Sequence, residues 1–221
     1  DLDLLFEPGT NISYQSAGIA ILGEIVWRVT GTPLPEFLRR EVFEPLGMAD
    51  TALGVRPEML GRIPEIRLPD DLIEADWGWN KPYWRAFGAP WGGMFSTVRD
   101  MSVFCQTFLS GGAYGGVRVF DPATVRAMTT DQTALMDRLP AEVKQKEAWG
   151  LGWRLNRPET AFGTGLSPRT FGHYGATGTV VWAAPDTGLS CAIFTTQPSL
   201  CESGEFRQCA GMIREAVKSE E

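Results

Sequence analysis

The chain has 221 residues, a formal charge of -7 and an apolar share of 43%, enough for one or two domains with a substantial core. Its 20 Lys and Arg stand against 27 Asp and Glu with no basic run, which argues against a nucleic-acid backbone as partner. No apolar run reaches bilayer length, and the opening residues Asp1 to Leu5 lack the basic start and cleavage site of a secretory signal, leaving cytoplasm and periplasm or exterior undecided.

In chain order, Glu7-Pro8-Gly9-Thr10 reads as a turn and Asn11 to Tyr14 as extended. Ser16 is placed to cap a helix through about Val29, with Ile19, Leu22, Val26 and Val29 at helical spacing and Gly31 as the stop. A second helix carries Leu34, Phe37, Leu38 and Val42 on one side and ends at Pro45. Both stripes read as core faces. The stretch from about Thr51 to Pro90 is irregular and rich in aromatics, and reads as a long surface excursion. Thr97 with Asp100 forms a capping-box pattern ahead of a stripe of Met101, Phe104 and Phe108, ended by Gly111-Gly112.

Asp121-Pro122 marks a further cap and first-turn proline, and residues 131–147 read as a polar loop or flap. From Trp149 the period becomes two: Trp149, Leu151, Trp153 and Leu155 alternate with small or polar neighbours, as in a half-buried strand. Phe171 to Gly175, Thr179 to Ala184 and, after the Asp186-Thr187-Gly188 turn, Leu189 to Thr195 predict antiparallel strands. A last helix, about Glu205 to Val217, is expected to bury Phe206, Cys209, Ala210, Ile213 and Val217. A mostly helical region over 1–147 followed by strands and a closing helix over 148–221 is an α+β order. With one histidine and no Cys-x-x-Cys, no zinc site is expected, and no other metal or cofactor is implied. Cys105 and Cys191 read as buried thiols; the spacing of Cys201 and Cys209 leaves open whether they pair.

Several segments together resemble the family of class C β-lactamases, D-alanyl-D-alanine carboxypeptidases and related esterases. They are Phe6-Glu7-Pro8-Gly9-Thr10 through Tyr14-Gln15-Ser16-Ala17-Gly18 and on to Phe43-Glu44-Pro45-Leu46-Gly47-Met48, then Trp91-Gly92-Gly93-Met94-Phe95-Ser96-Thr97. Gly150-Leu151-Gly152-Trp153 and His173-Tyr174-Gly175 follow, the last similar to the position written Lys-Thr-Gly in β-lactamases. The resemblance implies a β-lactamase/transpeptidase-like fold, an antiparallel sheet flanked by helices. It also implies a Ser-x-x-Lys nucleophile motif. None of the four lysines, Lys81, Lys144, Lys146 and Lys218, has a serine three residues earlier. The expectation is a fold incomplete at its N-terminal side, with the serine and lysine on a complementary segment or second chain that covers exposed apolar surface.

By the same resemblance, Tyr14 is the expected catalytic base, since a phenol that ordinarily ionises near pH 10 needs positive neighbours to act as one. Ser16 stands where the family often has Asn, and is a supporting residue with fewer contacts. His173 is expected to bind or polarise the substrate, and Ala176 to offer its backbone N–H to the oxyanion. Trp79, Trp84, Trp91, Tyr174 and Gly175 are candidates for binding the acyl group. The leading expectation is acyl-enzyme hydrolysis of small esters or amides, because a mostly neutral histidine replaces a fixed cation. The alternatives are a β-lactamase or D-amino-acid peptidase, and a non-catalytic scaffold that keeps the fold.

Overall fold

The computed structural model describes residues 3–68, 70–75, 77–158, 162–163, 165–201 and 204–218, apart from the side chains at 71, 199, 201 and 218. A Cys201–Cys209 pairing therefore lies outside the described residues.

The helices before the sheet are α1 (Ala17–Thr30), α2 (Leu34–Leu38), α3 (Asp70–Ile73), α4 (Pro82–Phe87), α5 (Val98–Leu109), α6 (Pro122–Thr129) and α7 (Ala141–Lys146). Two short antiparallel pairs lie among them, β1 (Ala52–Leu53) with β2 (Met94–Phe95), and β3 (Ala113–Tyr114) with β4 (Val117–Arg118). A four-stranded antiparallel sheet follows in the order β5 (Arg154–Leu155), β6 (Phe171–Gly175), β7 (Thr179–Ala184) and β8 (Leu189–Phe194), and α8 (Glu205–Lys218) closes the described chain. This is an α+β fold with its antiparallel sheet flanked by helices.

Strand β7 explains the layering. Successive side chains of a strand point to opposite faces, and here both faces are covered. Val181 and Ala183 join Met101, Cys105 and Phe108 of α5, together with Val42, Phe43, Leu46 and Met48. Val180, Trp182 and Ala184 join Phe206 and Ala210 of α8. That is why β7 is a continuous apolar run. On the α5 side Phe104, Phe108, Trp153 and Phe171 pack ring to ring, with Phe108 and Trp153 edge-on at 5.3 Å. Burying aromatics this way contributes more than their area alone.

Several elements depart from the sequence reading. The α1 stripe is not a core face: Ile19, Leu22 and Val29 are exposed, Val29 by 79%, and only Gly23 is buried in that helix. Ser16 makes no capping bond, and Gln15 Oε1 accepts from Gly18 N (2.8 Å) instead. Helix α2 continues as a π-turn over Arg39–Phe43, which buries the adjacent pair Val42 and Phe43. The 51–90 excursion is tied down at both ends, because β1 pairs with β2 and Thr51, Ala52, Leu53, Met59 and Ala89 are buried. The expected strand from Trp149 is a tight hairpin: Trp149 bridges Arg154, Gly150 N donates to Trp153 O (2.8 Å), and Leu151 is exposed. Gly150 is required there, since a Cβ would overlap the Met128 carbonyl. Cys209 faces outward on α8, while Phe206 and Ala210 face in.

The capping box at α5 is only half formed. Thr97 Oγ1 accepts from Asp100 N (3.1 Å), but the buried Asp100 carboxylate turns away to accept from Asp50 N (2.9 Å) and Thr51 Oγ1 (2.8 Å). A carboxylate only accepts, so Thr51 spends its proton there and Ser96 Oγ, 2.8 Å away, donates to Thr51. This chain of bonds fastens the β1–β2 pair to the start of α5. Replacing Asp100 by Ala strands the buried Thr51 hydroxyl and the partly buried Asp50 N–H, and we expect a loss of roughly 2 kcal/mol, measured by urea denaturation. A loss under about 0.5 kcal/mol would mean that the fastening carries no weight.

Candidate active site

Three rings from separate parts of the chain meet at one end of the sheet. Tyr14 lies just before α1, Trp149 opens the hairpin into β5, and His173 sits in mid-β6 opposite Val181. The ring centroids are 6.0 Å apart for Tyr14 and His173, 6.3 Å for Tyr14 and Trp149, and 5.9 Å for Trp149 and His173. Tyr14 is 71% exposed, so this corner opens to solvent. The segment leading to Tyr14 is anchored by an ion pair in which Arg138 donates to both oxygens of Glu7, at 2.9 and 2.5 Å. Arg138 belongs to the stretch read as a flap.

A charged pair lies behind the rings. Arg154 donates to both oxygens of Glu147 (3.0 Å each) and to the Tyr174 hydroxyl (3.1 Å), and its guanidinium faces the rings of Trp149 (5.4 Å) and Tyr174 (6.0 Å). Trp149 Nε1 donates to the same Glu147 (2.9 Å). The Arg154 side chain is only 16% exposed. A guanidinium that gives one nitrogen to a carboxylate and the other to a hydroxyl while facing two rings fixes its neighbours in orientation, which a lysine would not do.

His173 Nδ1 lies 2.7 Å from the Tyr174 carbonyl oxygen. Burial holds the imidazole below its ordinary value of 6.5, the Arg154 charge adds to the fall, and the Tyr174 carbonyl opposes it. Ala176 stands in the exposed turn between β6 and β7, and its backbone N–H makes no hydrogen bond among the described residues. Gly175 pairs with Thr179, and its carbonyl accepts from Gly178 N (3.0 Å).

Of the sequence candidates, the structure brings Tyr14, His173 and Tyr174 together, with Gly175 and Ala176 following in the same strand and turn. Ser16 is exposed, two residues beyond Tyr14. Trp84 and Trp91 instead meet through Phe87, at 6.5 and 6.0 Å. Trp79 is half-buried and makes no ring contact among the described residues. No ring contact joins these three tryptophans to Tyr14 or His173 among those residues. Sequence reasoning overlooked Glu147 and Arg154, and treated Trp149 as an ordinary strand position. No local signal marks them, because Arg154 lies between Trp153 and Leu155 in the sequence and its partner Tyr174 comes from a different strand.

The sequence profile of the beta-lactamase family matches residues 1–207, and the chain belongs to that family. It is 31% identical to the putative D-alanyl-D-alanine carboxypeptidase of Escherichia coli strain K12 over 215 aligned positions, covering 88% of this chain and 47% of that protein. The chain thus spans about half the length of the curated relatives it matches. A beta-lactamase from Mycobacterium bovis is 25% identical with a TM-score of 0.66, the match covering 98% of this chain and 66% of that one. EstA from Arthrobacter nitroguajacolicus is 19% identical with a TM-score of 0.74 over 99% of this chain and 63% of its own, a likeness of fold. No helix among the described residues is long and apolar enough to cross a membrane.

The depressed His173 imidazole binds its proton less tightly in the folded than in the unfolded chain. Its share of stability is therefore whole above its ordinary value of 6.5 and shrinks as pH falls from there towards the folded-state value. Urea titrations between about pH 7.5 and pH 5 should show this decline, and His173→Gln should flatten that part of the curve. An identical slope in the variant would contradict the burial described here.

Proposed function

We propose that the chain supplies the tyrosine, histidine and backbone-donor side of a serine acyl-transfer site, acting on peptides that end in D-alanine or on related β-lactams. The observation that carries this reading is the meeting of Tyr14 and His173, drawn from opposite ends of the chain to ring centroids 6.0 Å apart. The nucleophilic serine and its lysine come from outside residues 1–221, on a segment or partner chain that also covers the exposed apolar side of α1. Two facts support this: the sequence has no Ser-x-x-Lys, and Ile21, Leu22, Ile25 and Val29, which share one face of α1, are all exposed.

In this reading the serine oxygen attacks the substrate carbonyl while Tyr14 takes the serine proton. The Ala176 N–H, unpaired among the described residues, donates to the oxyanion as charge develops on it. Tyr14 then returns the proton to the leaving amine. Water repeats the sequence against the acyl-enzyme, and release of the acid restores the serine. The D-alanyl substrate class is favoured over the simple esters suggested by the sequence because the 31%-identical relatives are named putative D-alanyl-D-alanine carboxypeptidases. One observation keeps esters as a second reading: the imidazole at His173 is held low by burial, so this residue does not offer a substrate carboxylate the fixed charge of a lysine.

Intact mass spectrometry of the native material, before and after a serine-reactive phosphonate, tests the division of labour. One adduct on a longer or second polypeptide is expected, and Tyr14→Phe should slow its formation by roughly 10²-fold or more. An adduct on residues 1–221 would overturn the proposal. With the labelled species in hand, a D-alanyl-D-alanine peptide should be turned over with a higher kcat/KM than a p-nitrophenyl ester. The reverse ranking selects the ester reading.

A further inference from the structure

We propose that a cavity at the start of β6 binds a small monoanion with an apolar body, an aryl or alkyl carboxylate. The cavity has a volume of about 580 Å³, within the ordinary range for small-molecule sites. It opens between the end of α5, α6 and the end of the sheet where β5 and β7 stop and β6 begins. Phe171, the first residue of β6, lines it, while Tyr14, Trp149 and His173 do not. From Phe171 to Gly175 at the other end of the strand is on the order of 13 Å.

The floor is apolar and the walls are stiff. Phe108, Val125, Leu155 and Phe171 form the floor, and all four belong to the buried core. Pro122, Pro168 and Pro185 stand around it, and a proline has its φ angle locked by the ring. A cavity that keeps its shape without an occupant spares a ligand the cost of ordering it.

The rim decides the charge of the ligand. Arg157 donates to Asp131 Oδ2 (2.7 Å) and to the Asn156 carbonyl (2.9 Å). Asp131 Oδ1 accepts from Thr133 Oγ1 (2.5 Å) and Ala134 N (3.1 Å), so both oxygens of that carboxylate are in use. Arg169 pairs with Asp186 at 2.7 Å. Arg126 on α6 also lines the cavity, is exposed, and makes no hydrogen bond or ion pair among the described residues. Three guanidinium groups against two carboxylates leave one positive charge here, on a chain that carries -7 in total. One uncompensated guanidinium suits a single negative charge, and its fork matches the two oxygens of a carboxylate. The floor favours hydrocarbon behind that carboxylate, which a bare inorganic anion does not supply. The assignment is independent of the acyl-transfer reading, because it uses none of the residues placed in that site.

Equilibrium dialysis of the native material against 2-naphthoate, with 2-naphthalenemethanol as its neutral counterpart, tests the proposal. One 2-naphthoate per chain should bind, about 10-fold more tightly than the alcohol. No binding, or equal affinities, would overturn the proposal. Arg126→Gln changes an exposed side chain without partners, so the fold should be kept, which circular dichroism checks. This variant should bind 2-naphthoate about as weakly as the alcohol and leave the alcohol's own affinity in place. Thr130→Trp, at an exposed position on the rim, should block the cavity and abolish binding of both compounds. Unchanged 2-naphthoate affinity in Arg126→Gln would remove the guanidinium as anchor. Unchanged affinity in Thr130→Trp would put the ligand elsewhere on the molecule, and either result would overturn the assignment.

Discussion

The site depends on how closely β6 and β7 can approach at Gly172. Gly172 pairs with Trp182 across the ladder, and a Cβ there would overlap the Val181 carbonyl and come within 2.9 Å of the Trp182 Cβ. With only hydrogen at that point, the fully buried Trp182 indole lies under the α8 face and the ladder continues undistorted to Gly175 and Thr179. That register sets His173 opposite Val181. A one-residue slip would exchange the two faces of the strand, sending His173 where Gly172 and Tyr174 now point.

From this fixed strand the site is completed by pieces of decreasing rigidity. Arg154, paired with Gly172 across the β5–β6 ladder, carries Glu147 and Trp149 with it. Taking a guanidinium and a carboxylate out of water is costly, and such a pair adds little net stability. What it adds here is orientation, since four hydrogen bonds and two ring faces converge on Arg154 and Glu147. Tyr14 comes last, held by ring contacts and by the tether at Glu7.

The sheet was legible in the sequence because β6, β7 and β8 each carry a pattern that only burial explains, a double-faced apolar run in β7 above all. The cap at Asp121 was legible for a similar reason: an acceptor one residue before a proline leaves little choice, and its carboxylate takes Ala123 N at 2.7 Å. What was not legible depended on partners distant in sequence. Asp100 looked like half of a capping box, yet its carboxylate serves Asp50 and Thr51. The alternation from Trp149 looked like a strand, because a two-residue strand and a tight turn share the same small and large residues. The α1 stripe shows the limit of periodicity: it tells which residues share a face and nothing about whether that face is covered. Tyr14 and His173 were paired in advance through the resemblance, whereas the Arg154–Glu147 clamp between them and the sheet is written in no short motif.

The tether between Glu7 and Arg138 has a consequence of a different kind. Both side chains stand largely in water, where mobile ions weaken the attraction between opposite charges. The Glu147–Arg154 pair is sheltered, with side-chain exposures of 32% and 16%, and is far less open to such screening. The two ion pairs thus answer differently to the surrounding medium. In dilute buffer the tyrosine arm is drawn in. Added salt weakens that hold and leaves the ring contacts of Tyr14 and the backing of the imidazole in place, so that ionic strength acts on the approach of the tyrosine before it acts on the fold.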